Sequence, residues 1–253
     1  MKDFEFYKSI RVNNKKDKLI KAFSRLHNFY NKIPNTKGCM ENINTKGASC
    51  NAWCCRFQTP QLLYSEFLLL WHHVSKNWND DEICDLFERC MINAVDPTPS
   101  KGCVFFDGDI CMCKVHKVRP YNCRIYGITP NEEFEPRYLR LKEEYKSILG
   151  AVVKPQCSLV STVDDHKVNK EEIDKWWDEL VKIERSIGIP EDMVTDAIGG
   201  SYRTPHDHVL LYNMPENVLN ALSGIKQYTD EFDKKRAIKE LVQVISNVFK
   251  NKS

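Results

Sequence analysis

Cysteine is the residue type in this chain with the most chemistry to offer, and eleven of the 253 residues are cysteine. Four of them, Cys103, Cys111, Cys113 and Cys123, fall in CVFFDGDICMCKVHKVRPYNC. Thiolates bind soft metals, act as nucleophiles or pair as disulfides. No Cys-x-x-Cys pair occurs, which argues against dithiol redox chemistry. No apolar leader opens the chain, since Met1 to Phe6 already carries two acids. A cytoplasmic location is therefore expected, and a reducing compartment does not normally hold structural disulfides. Metal or iron–sulfur ligation is the leading explanation for so many thiols; the bland alternative is cysteines buried as small hydrophobes.

Their spacing adds detail. Phe105-Phe106-Asp107-Gly108-Asp109-Ile110 places apolar residues on both sides of an Asp-Gly turn, a hairpin signal. With a three-residue loop from Asp107 to Asp109, Phe106 would face Ile110 and Cys103 would face Cys113; a two-residue loop would set Cys103 against Met112. Asp107 and Asp109 read as turn formers rather than general bases. Arg119-Pro120 interrupts any helix there, letting the chain turn and return Cys123 toward the same point. Upstream, Cys50 and Cys54 are one helical turn apart, whereas Cys54 and Cys55 are adjacent and must diverge. Either the backbone is irregular there, or the two serve different metal atoms.

The block Cys113-Lys114-Val115-His116-Lys117-Val118-Arg119-Pro120-Tyr121-Asn122-Cys123-Arg124 resembles the C-x-I-Y-x-x-R-P-x-x-C-R block of the YkgJ-type cysteine-cluster family, described as zinc- or iron-chelating proteins. His116 stands where that block has tyrosine. The family's hallmark of eight cysteines implies Cys39, Cys50, Cys54, Cys55, Cys103, Cys113, Cys123 and Cys157 as metal ligands. Its upstream CxxCxxCC group is only partly present, because Ala48 and Asn51 occupy two of the cysteine positions and Cys50 and the distant Cys39 substitute. A further likeness to the cysteine cluster of flagellin lysine N-methylases hints at protein modification, though no GxGxxG loop or P-loop accompanies it.

Eight thiolates make two four-cysteine sites that accept zinc or an iron–sulfur cluster such as 4Fe-4S. Ligands drawn from irregular positions, unlike the knuckles of zinc ribbons, favour the cluster. Arg119 and Arg124 flank the thiolates; they are candidates for pairing with an anionic cofactor or substrate, or for bonding loop carbonyls. The first functional expectation is thus an iron–sulfur protein with a redox or protein- or peptide-modifying role. The other is a zinc-stapled helical scaffold or interaction protein without catalysis.

Helical periodicity is clear at 8–32, 62–78, 80–94, 135–153, 168–187 and 230–249. Cys84 and Cys90, six apart in one of these, fall on different faces and read as packing residues. His27, His72 and His73 have no partner at a chelating interval. The segment 201–215, with His206 and His208 as HxH, looks turn-rich. The expected fold is one mainly α domain over 1–253 with a small β-hairpin and long irregular cysteine-bearing loops, α+β being the second choice. A metal-binding core at about 39–157 would carry helical extensions at 1–35 and 165–253. A formal net charge of +2 with 28% charged residues gives no basic field for nucleic acid or anionic membrane. The longest apolar run, Phe67 to Trp71, is far too short to span a bilayer.

Overall fold

The helix that begins at Tyr64 is surrounded on nearly every side, and the other elements are most simply described by how they meet it. The computed structural model describes residues 16–37, 55, 59–96, 102–109, 112–130, 161–195 and 200–250. In chain order, helices α1 (Lys16–Tyr30), α2 (Tyr64–Asn77) and α3 (Asp80–Val95) precede the hairpin β2 (Phe106–Asp107) and β3 (Met112–Cys113). A 3-10 turn at His116–Val118 leads into the short α4 (Tyr121–Ile125). Then follow α5 (Lys170–Ser186), α6 (Glu191–Thr195), α7 (Pro205–Asn213), α8 (Glu216–Ile225) and α9 (Glu231–Lys250). Strand β1 (Thr36–Lys37) pairs antiparallel with β4 (Ser161–Thr162), Thr36 opposite Thr162. The fold is mainly helical with small antiparallel two-stranded pairings, as the periodicity predicts.

α2 packs against α1, α5, α7 and the 3-10 turn, while α3 meets α7, α8 and α9. Ten consecutive residues, Leu62 to Trp71, are buried. That buried run, LLYSEFLLLW, apolar but for Ser65 and Glu66, suits a helix whose first half is enclosed all round rather than one with a single dry stripe. Phe67 stacks on His208 of α7 at 4.9 Å and 9°. The His208 Nε2–H donates to Leu62 O at 3.0 Å, and burial lowers the imidazole pKa to about 4, so it is neutral in the core.

The helix starts follow local chemistry. Asn79 and Glu82 form a reciprocal cap at α3, and Asn169 and Glu172 do the same at α5. α2 has Leu63 in the capping position, which offers no side-chain oxygen. Its first N–H groups are satisfied from a distance: Tyr64 N donates to Glu184 Oε1 at 3.1 Å and Ser65 N to Glu184 Oε2 at 2.8 Å, from α5.

The region 201–215 departs from its turn-rich expectation. Thr204 caps α7 with Pro205 in its first turn, so His206 and His208 lie on a helix and point to different sides instead of chelating from a strand. Helices α6 and α8 are likewise not evident from periodicity. The helix expected at 135–153 lies outside the described residues. Among the described residues, no helix is long and apolar enough to cross a membrane.

Candidate metal site

The hairpin is docked onto α3 by its backbone. Gly102 has φ 64, a left-handed conformation that favours glycine. Its carbonyl accepts from Thr59 Oγ1 at 2.9 Å and from Asn93 Nδ2 at 3.1 Å. Arg89 Nη1 donates to Phe106 O at 3.2 Å. Held between these anchors, Cys103 donates its N–H to Cys55 O at 2.7 Å. A cysteine of the upstream group and one of the hairpin are thereby joined through main chain.

The register differs from the expected one. Phe106 faces Cys113 and Asp107 faces Met112, so residues 108–111 form a four-residue connection, and Cys103 is not opposite Cys113. The cause is turn chemistry at both ends. Asp107 Oδ1 accepts from Asp109 N at 3.0 Å, fixing the turn just beyond the strand, so the connection starts one residue later than expected, and Cys103 O accepts from Phe106 N at 3.0 Å, folding Cys103 into a turn before the strand. Asp107 and Asp109 are turn formers, as their types suggest.

The second anchor is α4, which carries Cys123. Pro120 begins it, and Pro120 O accepts from Cys123 N at 3.0 Å and Arg124 N at 3.1 Å. The first N–H of that turn, at Tyr121, donates to Glu66 Oε1 at 2.6 Å. The same oxygen accepts from Tyr30 OH at 2.8 Å, and Oε2 accepts from Leu63 N at 3.0 Å. Glu66 is thus a buried carboxylate with three donors aimed at it, one each from α1, the start of α2 and α4. Burial raises its pKa, opposed by these hydrogen bonds and by Arg124.

The two arginines hold loops. Arg124 lies over the Tyr30 ring at 4.1 Å and donates from Nε to Arg119 O at 2.9 Å and from Nη2 to Lys117 O at 3.3 Å. Burial lowers its pKa, while Tyr30, Glu66 and Cys123 act in the opposite sense. Arg119 contacts the His116 ring and donates from Nη2 to Thr36 Oγ1 at 3.3 Å, tying the 3-10 turn to β1. Burial first, then both arginines, lower the His116 pKa to about 4, so it stands neutral beside them.

Of the eight expected ligands, Cys55, Cys103, Cys113 and Cys123 are described and all are half-buried. Cys39, Cys50, Cys54 and Cys157 lie outside the described residues, as does Cys111. Among the described residues, no three cysteine, histidine or acidic side chains converge on one ion position. The donor chemistry that is present, half-buried thiols with guanidinium charge beside Cys123, fits a soft thiophilic metal better than a hard cation. Cys84 is half-buried and Cys90 fully buried in α3, consistent with packing roles. Burial pushes the Cys90 thiol well up, Arg89 offsets part of this, and Cys103 adds to it.

Glu66 and Glu184 were missed as site-building residues. A signal existed: each acid sits in phase with buried apolar neighbours, Glu66 inside LLYSEFLLLW and Glu184 between Leu180 and Ile187. Compared with protein-family models, curated proteins and solved structures, the chain matches none.

Proposed function

We propose that this chain is a metal-binding cysteine-cluster protein that holds an iron–sulfur cluster through the eight thiols named above, in a redox or protein-modifying role. The observation that carries the reading is the Cys103 N–H to Cys55 O bond, which joins two cysteine-bearing segments 48 positions apart at 2.7 Å. The β1–β4 pairing supports it further. Cys39 is two residues beyond Lys37 in sequence and Cys157 four before Ser161, and Lys37 and Ser161 are paired. The bond from Arg119 to Thr36 attaches the segment leading to Cys123 to the same strand. The likeness of Cys113 to Arg124 to the YkgJ-type block agrees with this placement.

In this reading Cys55, Cys103, Cys113 and Cys123 supply thiolates, and Arg119 and Arg124 fix the loop between them through its carbonyls and Thr36. A cluster bound there would supply one-electron redox chemistry. Anaerobic purification tests the proposal: brown protein with matched iron and acid-labile sulfide and a visible band that bleaches on reduction is expected. Colourless protein with stoichiometric zinc would assign the scaffold role instead, and protein with neither would refute metal binding.

A further inference from the structure

Glu66 holds more than the helix it belongs to. Of its three donors, Leu63 N–H is the ordinary local one at the start of α2, but Tyr121 N–H and Tyr30 OH come from other elements. α4 is only five residues long and has Pro120 in its capping position, with no side-chain cap of its own. The Glu66 carboxylate therefore takes over the first N–H of the turn on which Cys123 rides two residues later. A carboxylate with three inward-facing donors is acceptor-only, and burying one is a costly way to align them. Its compensating cation is close: Arg124, next to Cys123, lies over the ring of the tyrosine whose hydroxyl Glu66 receives.

We propose that Glu66 is a positioning residue for the metal site, setting the orientation of the Cys123 thiol through the Tyr121 N–H, with Tyr30 steadying the carboxylate. The inference rests on the metal-binding reading above. Replacing an outer group that orients a ligand typically weakens metal affinity about 10- to 100-fold. Glutamine at position 66 could keep its one carbonyl oxygen toward Tyr121 N–H and Tyr30 OH, which share Oε1, so the variant expected to release the turn is Glu66→Ala, which removes the acceptor altogether.

The test uses the full-length chain titrated anaerobically with cobalt(II), read by thiolate-to-cobalt charge transfer and by mass-spectrometric mapping of cysteine alkylation. Glu66→Ala should weaken cobalt binding by about tenfold or more and leave Cys123 open to iodoacetamide, while Cys55 and Cys103 stay protected. Asp230→Ala, which removes the side chain that accepts from Asp233 N at the start of α9, a helix packed on α3 and α8, serves as the control for simple destabilisation and should leave both readouts at the wild-type level. If Glu66→Ala does not fold, Tyr30→Phe keeps the ring under Arg124, removes one donor and should give a smaller loss confined to Cys123. Wild-type affinity and Cys123 protection in Glu66→Ala, or in Tyr30→Phe where the first does not fold, would overturn the proposal. So would an equal loss at all three cysteines that Asp230→Ala reproduces. A wild-type protein showing no charge-transfer band would instead overturn the metal-binding reading, and the positioning role with it.

Discussion

Cys103 and Cys55 are joined through main chain, N–H to carbonyl at 2.7 Å, and this bond puts a residue of the upstream cysteine group beside the hairpin. Cys90 is near the same point on α3, where Asn93 and Arg89 grip the carbonyls of Gly102 and Phe106. The cysteines proposed as ligands and the packing cysteine Cys90 therefore stand close together, and substitution separates them. Cys55→Ser and Cys103→Ser should each abolish most bound metal, measured by elemental analysis after anaerobic purification. Cys84→Ser should retain it. Cys90→Ser places a hydroxyl in an apolar interior and should cost about 1–3 kcal/mol in urea unfolding of the metal-free protein.

Glu184 gives the stability a distinctive pH dependence. Burial raises its pKa to about 7, opposed by the hydrogen bond from Ser65 N–H. The folded protein therefore holds that proton more tightly than the unfolded chain, whose carboxyl titrates near 4.5. Its contribution is fully present below pH 4.5, declines as pH rises toward 7, and is flat beyond. The slope approaches about 1.4 kcal/mol per pH unit at most in that window. Urea midpoints across the window should fall with pH in the wild type, and the fall should shrink in Glu184→Gln.

Arg124→Lys should destabilise the metal-free chain by about 2 kcal/mol, because lysine reproduces neither the stacking on Tyr30 nor the paired bonds to Arg119 O and Lys117 O. Chemical denaturation measures this directly. A loss no larger than that of an exposed arginine on α9, such as Arg236→Lys, would show that the loop does not depend on the guanidinium.

The cap at α5 offers a stability change at a helix start. Asn169 Oδ1 accepts from Glu172 N at 3.0 Å, and Glu172 Oε2 accepts from Asn169 N at 3.0 Å. Asn169→Ala should cost about 1 kcal/mol in urea unfolding.

Much of the helical frame was legible because core contacts repeat at helical spacing. The α5 face of Trp176, Leu180, Ile183 and Ile187 is buried as its periodicity requires. α7 escaped because its apolar residues are not confined to one side: His208 and Val209 are both buried, so no polar face announces a helix. The start signal, Thr204 followed by Pro205, carried the information instead. The hairpin was foreseeable from Asp107-Gly108, but its register was not, since an aspartate side chain bonding two residues ahead lengthens the loop without altering the apolar pattern. The buried acids were obscured for a related reason: their partners are backbone N–H groups of distant segments, to which residue type gives no clue.

The two-residue β1–β4 ribbon bears on how the protein is made. Thr36 meets Thr162, and α2 receives its missing cap from a glutamate 120 positions downstream. A ribosome releases the amino-terminal half long before either partner emerges, so the early helices must wait, unlatched, through most of translation. Truncation before β4 would leave the first half without either of these closing contacts.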